Sequence, residues 1–223
     1  SMFSHRVSIL TGHYGTGKTE VSVNLALALA AEGEQVMLAD LDIVNPYFRS
    51  RERRPLLEKA GVRVISSSQA CSDADVPALP AELLTILENR EIRGILDIGG
   101  DPVGARVLAR FQPKIVQEDY QLIFVLNANR PEVRDAESAA AYLRSIEAVT
   151  GLTCSGLVNN THLCGETTPA EIRKGAALAQ EVSRQTGIPI LCHTAERRFL
   201  ESLSDLGEPV FPIAINMKKP WER

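Results

Sequence analysis

Gly12-His13-Tyr14-Gly15-Thr16-Gly17-Lys18-Thr19 fits the pattern G-x-x-x-x-G-K-[ST] without a mismatch. The stretch follows an apolar run, Val7–Thr11, and opens an Ala/Leu-rich one, Thr19–Glu32. Each residue type answers a need of polyphosphate binding. Several N–H donors must converge on the anion, so the backbone has to curl closely around it, and Gly12, Gly15 and Gly17 leave room for that. Lys18 brings a point charge to the phosphates, and Thr19 offers a hydroxyl to a magnesium ion. His13, Tyr14 and Thr16 add backbone amides to the ring. Glu20 closes the stretch one residue into a helix whose positive end faces the same anion.

Outward from this loop, short apolar runs alternate with amphipathic ones. Strands are expected at Val7–Thr11, Val36–Asp40, Val62–Ser66, Gly94–Asp97, Gln121–Leu126, Ser155–Val158 and Ile188–Cys192. Helices are expected at Thr19–Glu32, Ala81–Asn89, Pro131–Thr150, Pro169–Thr186 and Glu196–Ser204. The alternation predicts an α/β fold: a doubly wound, mainly parallel sheet with helices on both faces. With no repeat or Pro/Gly-rich linker, residues 1–223 are expected to form one nucleotide-binding domain. Leu41–Pro55 and Ser66–Pro80 read as the least regular stretches. The first is rich in arginine, at 49, 51, 53 and 54.

Composition narrows the function. The 223 residues are 44% apolar and 23% charged with a formal net charge of −4, which gives no overall attraction to nucleic acid or an anionic membrane. No apolar run is long enough to span a bilayer and no signal-peptide pattern leads the chain, so the expectation is cytoplasmic. Cys71, Cys154, Cys164 and Cys192 form no C-x-x-C pair, and reduced, mostly buried thiols are expected. His162, Cys164 and Glu166 read as a solvated loop in preference to a metal site.

A triphosphate site also needs carboxylates at strand ends. Two segments supply them, Leu38-Ala39-Asp40-Leu41-Asp42 and Ile95-Leu96-Asp97-Ile98-Gly99-Gly100-Asp101. Asp97 is the natural partner for Mg²⁺, and Gly99 or Gly100 could turn an N–H toward the terminal phosphate.

Taken in order, GHYGTGKT, LADLDIVN, GILDIGGD, RPEVRDAES and GEPVFPI resemble the MinD/ParA-type P-loop ATPases, relatives of the nitrogenase iron protein. The likeness runs along nearly the whole chain. It implies that Asp42 orients the hydrolytic water, that Asp40 supports the metal with Thr19 and Asp97, and that Gly100 belongs to the second switch loop. It further implies that Asn159 or Asn160 lies against the purine, and that Pro131–Asp135 lies beside the nucleotide and a partner subunit. The family places a second lysine where this chain has His13. In the family that lysine reaches across a dimer to the partner's phosphates. A mostly neutral histidine is not equivalent, so either anionic phosphates raise its pKa, or an arginine at 49, 51, 53, 54, 130 or 134 takes the role, or no such dimer forms. No counterpart of the membrane-binding C-terminal helix of MinD is expected, because Pro212 and Pro220 interrupt residues 211–223.

Asn159-Asn160-Thr161-His162 stands where a guanine-reading N-K-x-D would, which favours ATP with Mg²⁺. Three functions compete. One is a slow ATPase acting as a nucleotide-state switch, with a nucleotide-dependent homodimer or a protein partner. Another is an ATP-dependent ligase activating a small carboxylate. The third is a maturation factor for a metallocofactor, engaging Cys164 or Cys192.

Overall fold

The computed structural model describes residues 2–42, 49–66, 81–131, 135–162 and 166–214, with the side chains of 49–52 outside that set. The strands are β1 (Val7–Thr11), β2 (Val36–Asp40), β3 (Arg63–Ser66), β4 (Arg93–Asp97), β5 (Tyr120–Leu126), β6 (Cys154–Asn159), β7 (Ile190–Ala195) and β8 (Val210–Pro212). The helices are α1 (Lys18–Ala31), α2 (Arg49–Lys59), α3 (Glu82–Glu88), α4 (Pro102–Ile115), α5 (Ala136–Thr150) and α6 (Pro169–Thr186). One eight-stranded sheet results, in the order β3-β2-β4-β1-β5-β6-β7-β8. Every neighbouring pair is parallel.

Burial explains the strand sequences. All residues of β1 and β2 are buried, as a parallel sheet covered on both faces requires. On one face α1 packs Val21, Val23, Leu25 and Leu29 with Leu57 of α2 against Leu10, Leu38, Ile95 and Val125 of the sheet. On the other, α3 to α6 pack against Ile9, Ala39, Leu96 and Phe124. β1 lies between β4 and β5, the point from which the chain winds out in both directions, so its carboxyl end opens on the crevice where such sheets hold ligands.

The expected α/β architecture is present, with local differences that have physical causes. Leu41–Pro55 was expected to be irregular, but from Arg49 the chain is helical; α2 carries Pro55 inside it. Residues 43–48 and 67–80 lie outside the described set. α4 was not expected, although Asp101 accepts a hydrogen bond from the Gly104 N–H (2.9 Å) and Pro102 follows at the first helical position, a strong start signal. α5 begins at Ala136, not Pro131, because Asp135 caps it by accepting from the Ser138 N–H (2.8 Å). Glu196–Ser204 forms two 3₁₀ turns, Arg197–Phe199 and Glu201–Leu203. β8, three residues long, is too short to carry a period.

Cys154 and Cys192 are buried, and burial pushes both thiols up to about 12. Cys192 faces the core formed by α1 and is fully enclosed. Among the described residues no cluster of His, Cys, Asp and Glu could hold a metal ion. A raised thiol pKa stabilises the fold below the unfolded value near 9 and loses that contribution as pH rises toward 12. Unfolding free energy should therefore fall above pH ~9 by up to about 1.4 kcal/mol per pH unit for each thiol. Urea titrations from pH 8 to 10.5 should show a shallower decline in the Cys154→Ala/Cys192→Ala variant. An identical slope would refute this assignment.

Candidate functional site: the glycine loop and its carboxylates

Sheet register brings the site together. Asp40 pairs with Asp97 across β2 and β4, and Asp97 pairs with Leu10 of β1. Three neighbouring strands therefore end side by side just where the chain enters the glycine loop. The Leu41 N–H extends the ladder by donating to the Asp97 carbonyl (2.9 Å), which carries Asp42 onto the rim. Asp40, Asp97 and Lys18 are buried, and Asp42 nearly so.

Lys18, the first residue of α1, lies between two of these acids. Its Nζ donates to Asp42 Oδ2 at 2.6 Å and stands 3.1 Å from Asp97 Oδ1. Burial opposes a charge on this amine, but the Asp97 and Asp42 carboxylates outweigh it and hold the ammonium above the ordinary lysine range. The lysine is thus permanently cationic. Thr19 Oγ1 donates to the other oxygen of Asp97 at 2.7 Å.

The loop itself is shaped by its glycines. Gly15 and Gly17 have φ of 82° and 78°, a region that side-chain-bearing residues seldom occupy. Close approach adds a second constraint. A Cβ on Gly12 would come within 2.7 Å of the Val125 carbonyl oxygen, and one on Gly17 within 2.5 Å of Asn160 Nδ2. Asparagines brace the curl from below. Asn160 Nδ2 donates to the Thr16 carbonyl (2.8 Å), and Asn127 Nδ2 to that of Gly15 (3.3 Å). The Asn160 Oδ1 in turn accepts from Thr194 Oγ1 (2.5 Å).

Several residues stand elsewhere than sequence placed them. Asn159 is fully buried, donating to the Ile172 carbonyl and accepting from Thr161. It is therefore held as a strut inside the fold. Asn160 holds the loop, with His162 beside it against Gly17. Glu20 turns its carboxylate to Arg53 of α2 (2.9 Å) in a buried pair. Arg54 is bound to Glu58 and to the Val64 carbonyl. Arg130 packs its guanidinium on Gly15 and lies 5.9 Å over the Tyr14 ring, so among the described residues it is the arginine of that set seated on the cradle. Tyr14 is 70% exposed. The His13 ring is stacked on Tyr142 of α5, with centroids 3.5 Å apart. Arg49 and Arg51 have no described side chain, and Arg134 and Cys164 lie outside the described residues.

Sequence reasoning missed Asn127 and Tyr142. Asn127 could have been found, since it directly follows a central strand. Tyr142 carried no signal, being 129 positions from the histidine it stacks on.

Residues 2–51 match the ParA family, described as the NUBPL iron-transfer P-loop NTPases. The septum site-determining protein MinD of Helicobacter pylori is 24% identical over 97% of this chain and 87% of its own length. The chain is thus similar to nucleotide-binding P-loop proteins of the MinD/ParA type. Its relatives include the cytosolic Fe-S cluster assembly factor cfd1 of Emericella nidulans, 36% identical over 95 residues, which are 43% of this chain but 26% of that protein. Among solved structures, a nucleotide-binding protein from Archaeoglobus fulgidus in complex with ADP superposes with a TM-score of 0.50 at 18% identity. That match covers 92% of this chain and 87% of the other, and shows the shared fold. No described helix is long and apolar enough to cross a membrane.

Proposed function

We propose that the protein binds ATP with Mg²⁺ and hydrolyses it slowly, and that the bound nucleotide sets its association with a second copy or another protein. The observation that carries this reading is the placement of Lys18 between Asp42 and Asp97, with Thr19 on Asp97, at the mouth of a glycine cradle. The donor set fits magnesium: a hydroxyl and carboxylates, all hard oxygens. Asp97 Oδ1 is buried and faces the Lys18 ammonium at 3.1 Å. Thr19, Asp97 and Asp40 would hold the ion, which neutralises charge on the phosphate oxygens when bound.

The chain's own residues supply the rest. Main-chain amides from Gly12 to Thr19 line the anion. Lys18 exchanges its two carboxylate partners for phosphate oxygens, an exchange of like for like that keeps a buried cation paired throughout. Asp42, released from the ammonium, becomes available to accept a hydrogen bond from a water and orient it for in-line attack. The absence of the guanine-reading aspartate supports adenine.

Light scattering tests the switch. The expected result is a larger mass with Mg²⁺ and a non-hydrolysable ATP analogue than with Mg²⁺ and ADP. Equal masses, with no partner retained differently in the two states, would leave the switch reading without support. The likeness of residues 2–51 to iron-transfer P-loop NTPases and the likeness to cfd1 favour a second reading, in which the switch serves cluster assembly. Cys154 and Cys192 do not serve it. If that reading holds, iron–sulfur reconstitution of the same sample gives a cluster absorption that survives loss of both thiols.

A further inference from the structure

Between Asp42 and α4 the chain makes a tight turn, Gly99-Gly100-Asp101, clasped from three sides. A Cβ on Gly99 would lie 2.4 Å from Asp101 Oδ2 and 3.0 Å from Asp42 Oδ1, so the turn touches the carboxylate given the water-orienting role. A Cβ on Gly100 would lie 2.5 Å from the Gly12 carbonyl oxygen and 2.8 Å from the Tyr142 hydroxyl. Gly104, in the first turn of α4, backs against the Gly99 carbonyl. The turn is therefore wedged between the phosphate loop, α4 and α5.

Tyr142 makes the directional contact in this clasp. Its hydroxyl donates to the Gly100 carbonyl, and its ring carries the stacked imidazole of His13 on one side, at 22° between planes, and approaches Phe124 of the core at 6.0 Å. Burial, helped by Asp101 and opposed by Lys18, raises the phenol above its ordinary value, which keeps it a donor. Anchoring the Gly100 carbonyl fixes the plane of the Gly100–Asp101 peptide. Because that peptide is trans, its N–H faces the opposite way from the anchored oxygen.

We propose that Tyr142 is a positioning residue for the terminal phosphate: through its hydroxyl on Gly100 and its stack on His13 it holds the Gly99–Asp101 turn in register with the phosphate loop, so that the site tells triphosphate from diphosphate. This rests on the reading of the loop as an ATP site. A diphosphate, held by the Gly12–Thr19 amides and Lys18, does not need the turn. A third phosphate, beside Asp42, does.

Tyr142→Phe keeps the stack and deletes only the donor, so it is the informative variant. Calorimetric titration with Mg²⁺ should show ADP affinity within about twofold of wild type and affinity for a non-hydrolysable ATP analogue weakened about five- to tenfold, the range of one net hydrogen bond. Tyr142→Leu, which also removes the stack, should lower the triphosphate-to-diphosphate preference further. If Tyr142→Phe weakens both nucleotides by the same factor, weakens neither, or tightens the analogue, the proposal fails while the ATP site stands. If the wild-type chain binds neither nucleotide, the ATP site falls and this proposal with it.

Discussion

Replacing Lys18 by alanine is expected to weaken binding of Mg²⁺–ATP at least about 100-fold, because charge-assisted hydrogen bonds of about 1.5–3 kcal/mol each are lost to two phosphates. The same change removes the cation that Asp42 and Asp97 share at 2.6 and 3.1 Å. Breaking a buried pair by deleting one partner costs about 3–5 kcal/mol, so the alanine variant should also melt earlier. Lys18→Gln separates the two effects. Its amide can still donate to a carboxylate, which should restore part of the stability, but it has no charge to give a phosphate. The expected order is therefore wild type, glutamine, alanine for thermal stability, with both variants equally poor in calorimetric ATP titrations. Wild-type ATP affinity in folded Lys18→Gln would contradict the role given to the lysine.

Much of this site is legible in sequence because its chemistry is local. The glycine loop is a run of eight residues whose spacing is dictated by one anion. Asp40 and Asp97 end apolar strands, and parallel register does the rest by setting them side by side. What sequence could not resolve depends on the far side of the fold. Asn159 and Asn160 are adjacent and chemically identical; only the alternation of β6 as it ends decides that one faces α6 and the other the phosphate loop. Arg53 looks like one charge in a solvated run, yet α2 lies over α1 and brings it to Glu20 across 33 positions. α2 itself was hidden because Pro55 and four arginines resemble a loop more than a helix. α4 was the avoidable miss. Asp101-Pro102 is a helix start by its own chemistry, masked by the carboxylate's place just past a strand end.

The largest effect on turnover, as distinct from binding, is expected from Asp42→Asn. In the fold as it stands the Asp42 carboxylate holds the Lys18 ammonium at 2.6 Å, where it would compete with a bound phosphate. Asparagine fills the same volume without the charge, which leaves the lysine more available, so affinity for a non-hydrolysable analogue should hold or tighten by a few-fold. Hydrolysis should behave in the opposite sense. Without a carboxylate to take a hydrogen bond from the attacking water, turnover should fall about 10²–10⁴-fold, the usual contribution of a positioned general base or orienting group. A pure stability defect would lower both quantities together, and a pure binding defect would raise the apparent Kd first. Only a water-orienting role predicts tighter binding alongside lost turnover. Measured phosphate release near the wild-type rate in Asp42→Asn would move that role to another group at the Gly99–Asp101 turn, where Asp101 is the nearest carboxylate.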